Sequence, residues 1–491
     1  MGQYVVRGVP ASVLQDSWWL DEPENSPDRS DGTTSPNKKL AGGALALLVA
    51  LADVLFLDYA PGISLAVFAL VVAGLVWVLL GRRSGLFGPA LLLILSVLPV
   101  VEYVQALSIA FLIGGSTVAL CWAVLGSRHD LGAAVRRFLG LWPILAIWQL
   151  IGALRNGQAL PDKDRIGLQF LRAWAFPIGG ALVLASLMVS ANPVLSEWVD
   201  GLWSFDIRFE RVLLWIGAAI MIWPVLAVAS QPGILSPKSG PAKQRKLPAI
   251  GLNAQSVANA LILFNLMLAV QTVMDAFFLW GNVELPDGMS HAEYAHRGAY
   301  PLLVTALLAG AFALAARPYL TERKGLTGWM MLWLGQNVLL VISSILRLSI
   351  YVQEYGLTYL RIHAAIWMGL VAAGLCLTAW QILRGRSNRW LLLRSAALGL
   401  AVLYACSFVN FAAVIARENL RHTERYDEYY VCQLGPMASA EIAASARPTG
   451  CTIYPPHIAN WREWGFRADR VSRSLNAELG SETGYENPRR G

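Results

Sequence analysis

Residues 63–80 read ISLAVFALVVAGLVWVLL and contain no charged side chain. At 1.5 Å per residue, a helix of this length spans about 27 Å, close to the hydrocarbon core of a bilayer. Similar runs recur along the 491 residues, of which 56% are hydrophobic and only 14% are charged. A soluble globular protein carries about 25% charged residues. These features predict an all-α, polytopic helical membrane protein and argue against a soluble enzyme, a secreted domain or a nucleic-acid-binding protein.

Eleven apolar segments are long enough to be transmembrane helices. They follow residues 1–40, a polar stretch rich in Asp, Ser and Pro that we expect to be a disordered cytoplasmic tail. Together they define a predicted transmembrane domain, 41–412. The predicted spans are 41–58, 63–80, 87–106, 109–125, 173–190, 212–229, 258–281, 300–316, 328–346, 362–383 and 392–412.

Basic residues predict the orientation of these spans. If the N-terminal tail is cytoplasmic, the cytoplasmic loops hold 20 Lys and Arg residues and the opposite loops hold 5. Such a bias is typical of membrane proteins, whose cytoplasmic loops are the basic ones. We therefore expect a cytoplasmic N-terminus and an extracytoplasmic C-terminus. The net charge of +7 follows from this topology rather than from a nucleic-acid partner.

One further segment, 138–154 (FLGLWPILAIWQLIGAL), leaves two alternatives open. It is apolar enough to be a twelfth span, which would reverse every later loop. Basic residues flank it on both sides, including Arg136, Arg137 and Arg155. That pattern favours a helix that lies in the cytoplasmic interface or re-enters from that side.

The residues that follow the last span differ in character from the rest of the chain. Residues 413–491, which we call the C-terminal region, carry ten Arg and no Lys and predict a small helical extracytoplasmic appendage. Cys432 and Cys451 both fall in it. Because the bacterial periplasm is oxidising, we expect these two cysteines to form a disulfide, the alternative being two free thiols.

Several motifs of the second half resemble a bacterial family. The most specific is YGLTYLR at 355–361, and it is accompanied by RLSIY at 347–351. Weaker matches are ANP at 191–193, AEY at 292–294 with Arg297-Gly298, SFVN at 407–410, IAR at 415–417, Asn419 and Leu420. Over roughly residues 170–475, the chain resembles the bacterial membrane proteins of domain of unknown function 4173, which is related to 4153. The resemblance implies a bacterial inner-membrane location and brings no activity or site residue with it.

Ionisable residues inside spans are costly and mark the first candidates for function. Counted from the cytoplasmic ends of the spans, they all fall in the outer half of the membrane, and further charged groups follow in the adjacent outer loops. The candidate ligand-binding residues are Asp53, Glu102, Asp275, Glu293, Arg297, Arg347, Arg361 and His363.

Two interpretations of these residues stay open. In the first, they form interhelical salt bridges, for example between Asp275 and Arg347. In the second, they line one outward-facing polar cavity, in which Arg297, Arg347 and Arg361 bind an anionic solute or lipid headgroup. The sequence contains no HExxH, CxxC or phosphate-binding glycine motif. We therefore expect no metal and no cofactor, and catalytic residues stay unknown.

Three classes of function remain. We rank a non-enzymatic sensor or assembly partner first, because the recognisable motifs and the C-terminal region both fall on the outer side. Its partners would be the lipid bilayer and another envelope protein. A transporter of a polar or anionic solute comes second, since no inverted repeat is evident. A membrane enzyme that acts on an extracytoplasmic or lipid-linked substrate, with Asp275 or Glu293 as the base, comes third.

Overall fold

The computed structural model describes most of the chain. The described residues are 36–81, 85–126, 130–155, 188, 209–235, 253–277, 291–320, 325–422, 426–446 and 449–483. Within these ranges the regular structure is helical and no strand occurs. The expected tail at 1–35 and the predicted span at 173–190, apart from residue 188, lie outside them.

Fifteen α-helices make up the described part of the chain. They are α1 (Pro36–Phe56), α2 (Ile63–Leu80), α3 (Phe87–Glu102), α4 (Ala106–Leu125), α5 (Leu131–Arg155), α6 (Phe209–Ser230), α7 (Ala254–Asp275), α8 (His291–Ala316), α9 (Leu326–Tyr355), α10 (Tyr359–Leu383), α11 (Asn388–Cys406), α12 (Phe411–His422), α13 (Glu428–Cys432), α14 (Ser439–Ala443) and α15 (Phe466–Thr483). Short 3₁₀ turns occur at Pro232–Leu235, Arg317–Tyr319, Pro436–Ala438 and Trp461–Glu463.

Most of the long helices are apolar enough to cross a bilayer. Among the described residues, 7 helices have the length and composition of a membrane span, and three shorter apolar helices accompany them at Leu40–Phe56, Phe87–Glu102 and Val304–Tyr319. All of them fall on predicted spans. The chain is therefore a helical membrane protein.

By its internal contacts the chain divides into two compact units. The first takes residues 1–57, 72–85 and 120–237. In its described part, α6 packs against α1 and α5. Ala41, Ala44, Leu48, Ala52 and Leu55 are all buried along one face of α1. Their spacing of three or four residues is that of a helix-packing stripe.

The second unit takes residues 58–71, 86–119 and 238–491 and is organised around α9. This helix packs against α7, α8 and α10. Its buried face repeats every three or four residues and, unlike that of α1, includes polar side chains. The buried positions on that face are Leu326, Met330, Trp333, Asn337, Leu340, Ser344 and Arg347.

Some helices extend beyond the ends of the predicted spans, because polar residues continue the helix there. The span predicted at 328–346 belongs to the 30-residue helix α9, which runs on through Arg347 to Tyr355. The segment 138–154 belongs to α5, which begins at Leu131, so that Arg136 and Arg137 lie inside the helix rather than before it. The position of α5 relative to the membrane stays a prediction.

Candidate functional site

Asp53, the candidate residue of α1, forms an ion pair within the first unit. Arg211 of α6 donates two hydrogen bonds to it, from Nε to Oδ1 at 2.8 Å and from Nη2 to Oδ2 at 2.5 Å. The indole Nε1 of Trp215 also donates to Oδ1, at 2.9 Å. This two-bonded geometry is the strongest form of an arginine–carboxylate pair and joins α1 to α6.

Asp275 and Arg347 form a second ion pair, buried in the second unit. Asp275 ends α7 and is 1% exposed, and Arg347 of α9 is 3% exposed. Arg347 Nη2 donates to Asp275 Oδ1, and Gln271 Nε2 donates to the same oxygen at 2.8 Å. The contact is the interhelical bridge that the first interpretation of the sequence described.

Glu102, the last residue of α3, meets two arginines from α15. Arg467 Nε donates to Glu102 Oε1 at 3.3 Å, and Arg470 Nη2 donates to the same oxygen. The side chains of Arg467 and Glu102 are only 4% and 9% exposed. Burial lowers the pKa of Arg467 below its ordinary value and the hydrogen bond to Glu102 opposes that shift. Because arginine does not lose its proton in proteins, the guanidinium stays charged.

Arg467 also contacts the loops that flank this pair. Its Nη2 donates to the carbonyl of Ser407 at 2.7 Å, and its guanidinium carbon lies 5.0 Å from the ring centre of Tyr103. Tyr103 follows α3, and Ser407 lies between α11 and α12. One side chain of the C-terminal region therefore joins two separate loops of the second unit.

A neighbouring stretch fixes the C-terminal region to the loop before α2. The Glu463 carboxylate accepts hydrogen bonds from the backbone N–H groups of Ala60, at 3.1 Å, and Ala459, at 2.9 Å. These bonds hold the pKa of Glu463 below its ordinary value. The N–H of Ile63 donates to the Trp464 carbonyl at 2.7 Å. A Cβ on Gly62 would lie 2.3 Å from the Glu463 carbonyl carbon, so this close approach requires glycine.

The motif YGLTYLR forms the turn between α9 and α10. Gly356 ends α9 with φ 77°, a conformation that favours glycine. Arg361 Nη1 donates to the carbonyls of Tyr355, at 2.9 Å, and Gly356. The Arg361 guanidinium carbon also lies 4.4 Å from the ring centre of Tyr351. Arg361 thus satisfies the last carbonyls of α9, which is a structural use of its charge.

Asn419 of α12 holds the same turn from the C-terminal region. Its Nδ2 donates to the Leu357 carbonyl at 2.9 Å, and the Leu357 N–H donates to Asn419 Oδ1 at 2.5 Å. The N–H of Tyr359 donates to the hydroxyl of Tyr430 at 3.0 Å. The turn between two long apolar helices is therefore built as part of the contact with the C-terminal region.

The C-terminal region has a small core of its own. Ala412, Ala416 and Leu420 of α12 pack against Val431, Ala438 and Ile442. Cys432 and Cys451 are joined by a disulfide. Glu428 Oε1 accepts a hydrogen bond from the N–H of Gly450 at 2.6 Å beside it. These contacts give a polar segment the rigidity that its short helices alone would not provide.

The candidate residues thus appear in separate pairs. Asp53 belongs to the first unit, whereas Glu102, Asp275, Arg347 and Arg361 belong to the second and each has its own partner. His363 is exposed and lies between the rings of Tyr359, at 6.3 Å, and Phe411, at 6.4 Å. The side chains of Glu293 and Arg297 lie outside the described residues. Binding of an anionic ligand by any of these groups stays a prediction, and such a ligand would compete with the partners named above.

Three residues that matter at this site escaped the sequence analysis, namely Arg467, Arg470 and Glu463, and Asn419 was noted only for its resemblance to the family. The ten arginines of the C-terminal region were noted, yet their spacing gives no indication of partners that lie 365 residues earlier in the chain. Within the described ranges, no group of three or more His, Cys, Asp or Glu residues is arranged to hold a metal ion.

Comparisons with known proteins give one match. No curated protein and no solved structure matches the chain. The model of a family described as a domain of unknown function, DUF4153, matches residues 40–444. The motifs suggested family 4173 and named 4153 as its relative, and the match shows 4153 alone. Since the match covers most of the chain, the protein belongs to the DUF4153 family, whose function is not assigned.

Proposed function

We propose that the protein is a non-enzymatic bacterial inner-membrane protein that binds another envelope component through its C-terminal region. The observation that carries the proposal is the attachment of that region by the buried pair Glu102–Arg467. A C-terminal region that was joined to the membrane domain only by a flexible linker would have no buried ion pair with the rest of the protein. A region held rigidly on the loops of the second unit instead presents a fixed surface to a partner.

The same contacts support an extracytoplasmic C-terminal region. Loops 58–62 and 103–105 precede the segment 138–154, and loops 356–358 and 407–410 follow it. All four contact the C-terminal region. Since a small region reaches loops on only one side of a bilayer, the chain crosses the membrane an even number of times between residues 103 and 357.

That even number favours the topology with eleven spans. Six predicted spans fall between those loops when 138–154 is counted as an interfacial helix, and seven when it is counted as a span. A cytoplasmic N-terminus then follows from the basic loops, and the C-terminus is extracytoplasmic. The kinship to family 4173 belongs to the same proposal, since two of the motifs that suggest it, YGLTYLR and SFVN, lie at these loops.

We infer that the partner contacts the face beside the disulfide. Tyr429 and Tyr454 are 74% and 65% exposed, although both are large aromatic residues. They lie on the two segments that the Cys432–Cys451 bond joins. Exposed tyrosines on a rigid support are typical of protein interfaces, because they bury a large area at a small cost in side-chain entropy.

Site-specific photocrosslinking in intact cells tests this proposal. A photoreactive phenylalanine analogue replaces Tyr429 or Tyr454 in the full-length protein, and Leu392, which is 62% exposed on the apolar helix α11, is the control position. We expect one discrete adduct with an envelope protein from both tyrosine positions and none from Leu392. Absence of that adduct, or the same adduct from all three positions, contradicts the proposal.

A second candidate function, transport of a polar solute, is supported by one observation. Asn265 of α7 and Asn337 of α9 are 3% and 0% exposed. Each amide nitrogen donates to a backbone carbonyl of its own helix, while neither Oδ1 has a hydrogen-bond partner among the described residues. Two such acceptors inside a membrane bundle would suit a solute or water that donates hydrogen bonds.

Glycerol uptake into proteoliposomes, followed by light scattering, distinguishes this candidate. A solute pathway predicts uptake above that of protein-free liposomes and its loss in Asn337→Leu. If the wild type takes up glycerol no faster than protein-free liposomes, transport is contradicted and the two asparagines have a structural role.

A further inference from the structure

A groove lies between α7 and α8, with α9 as its floor. Its volume is about 680 Å³. Phe264 on one wall faces Phe312 on the other, with ring centres 5.4 Å apart, and Gln271 and Thr305 line the groove seven residues away from these rings along each helix. The lining residues are Phe264, Met267, Leu268, Gln271, Thr305, Leu308, Ala311, Phe312, Ala315 and Trp333.

The groove has an aromatic end and a polar end. Phe264, Phe312 and Trp333 pack together with ring centres 5.3 to 6.3 Å apart. At the other end, the amide of Gln271 donates a hydrogen bond to Asp275, which is paired with Arg347. From Ala315 to Thr305 the groove extends along ten residues of helix, or about 15 Å.

The surroundings of the groove decide what can enter it. Its walls belong to apolar helices, and Met267 and Leu308 on the two walls are 63% and 64% exposed. In a membrane protein, such exposed apolar side chains contact the hydrocarbon of lipids. The groove therefore opens to lipid rather than to water, and only a molecule that carries a hydrocarbon chain reaches it.

We propose that this groove binds one acyl chain of a membrane phospholipid as a structural ligand. The chain lies against Phe264 and Phe312 and runs toward Gln271, where the polar end directs the headgroup toward the membrane surface. The acyl chain fills the space between the two helices. If that space were empty, the side chains on both walls would lose dispersion contacts. This site is independent of the partner-binding face of the C-terminal region.

Photolabelling with a phospholipid tests the proposal directly. The probe is phosphatidylethanolamine with a diazirine on its acyl chain, added at low mole fraction to vesicles that contain the full-length protein. Labelled residues are identified by mass spectrometry. Met267 reports the groove, and Val270 is the matched control, because it lies on the same helix, is 59% exposed and does not line the groove.

We expect about tenfold more labelling at Met267 than at Val270, which corresponds to a preference of about 1.4 kcal/mol. Ala315→Trp and Ala311→Trp each place an indole in the groove and should reduce that ratio to about one. Val273→Trp, an exposed position of α7 outside the groove, should leave it unchanged. Equal labelling of Met267 and Val270 in the wild type overturns the proposal, and so does a crosslink from Met267 to a second copy of the chain.

Discussion

Arg467 forms a buried ion pair with Glu102, a residue that precedes it by 365 positions. The first lies on a helix with no apolar run, and the second ends an apolar helix. Their contact makes the C-terminal region an integral part of the second unit. Part of the attachment therefore depends on charged groups, which act beside the hydrogen bonds of Asn419 and the buried apolar residues Val471 and Leu475.

Arg467→Ala should therefore release much of the C-terminal region. The substitution removes the charged hydrogen bonds from Arg467 to Glu102 and to the Ser407 carbonyl, while Arg470 still pairs with Glu102. Hydrogen bonds from a charged group typically contribute about 1.5–3 kcal/mol each. We expect a lower melting temperature in detergent and faster proteolytic cleavage within residues 426–483.

The matched control is Arg473→Ala on the same helix. Arg473 pairs with Asp469 at 2.7 Å, but its side chain is 68% exposed. Such a surface pair contributes less than about 1 kcal/mol. Equal destabilisation by the two substitutions would contradict a special role of the buried pair.

Gly356→Ala should destabilise the turn between α9 and α10. The residue has φ 77°, and an added Cβ would lie 2.7 Å from Asn419 Oδ1. Backbone strain of this kind typically costs about 1–3 kcal/mol. The melting temperature should fall, and Asn419→Ala should lower it as well, because both changes disturb the contact with Leu357.

Gly369→Ala is the control for that experiment. Gly369 lies within α10, and nothing comes within 4 Å of the Cβ it would gain. Alanine is the better helix former by about 1 kcal/mol, so we expect unchanged or slightly higher stability. A loss comparable to that of Gly356→Ala would show that the effect is not specific to the turn.

The sequence predicted the helical membrane class because its apolar runs match the thickness of a bilayer. It failed at helix ends. Tyr351, Tyr355 and Tyr359 repeat every four residues and so suggest one helical stripe, but the helix stops at Gly356 and Tyr359 begins the next one. The spacing of the tyrosines cannot reveal that the helix ends between them, because this end is stabilised by Arg361 and by Asn419, which lies about 60 residues later in the chain.

The candidate site shows the same limit. Charge and depth in the membrane identified Asp53, Glu102 and Asp275 as unusual carboxylates, since an unpaired charge there is costly. They do not say which arginine neutralises each one. Asp275 and Arg347 lie on helices that pack directly, and this pairing was among the open interpretations. The partners of Glu102 lie on a polar helix whose position depends on the whole fold.

The pair Asp275–Arg347 should be replaceable only as a unit. Asp275→Leu or Arg347→Leu alone leaves a buried charge without its partner and should destabilise the protein by about 3–5 kcal/mol, whereas the double substitution should restore most of that loss. Thermal unfolding in detergent measures all three variants. If the double variant is as unstable as the sum of the single ones, the two side chains are not energetically coupled.

The contribution of Glu463 to the stability of the protein should depend on pH. Hydrogen bonds from the N–H groups of Ala60 and Ala459 lower its pKa in the folded state, so the carboxylate is favoured there. Its contribution is complete above the unfolded pKa of about 4.3 and is lost as pH falls through the lower folded pKa. Glu463→Gln should therefore melt below the wild type at pH 7, with the difference vanishing at low pH. A difference that does not change with pH would contradict this assignment.

The proposed topology, with an even number of crossings between residues 103 and 357, predicts which loops are accessible from outside the cell. In a variant that keeps the Cys432–Cys451 bond and lacks Cys121, Cys376 and Cys406, a single cysteine replaces Tyr454 or Ser387. An impermeant maleimide applied to cells whose outer membrane has been permeabilised should label position 454 and not 387, because α11 separates the two sides. After lysis, the cysteine at position 387 should also be labelled. This control shows that the cysteine itself can react with the maleimide. Labelling of 387 but not 454 in unlysed cells would reverse the orientation, and labelling of both would contradict the span assigned to α11.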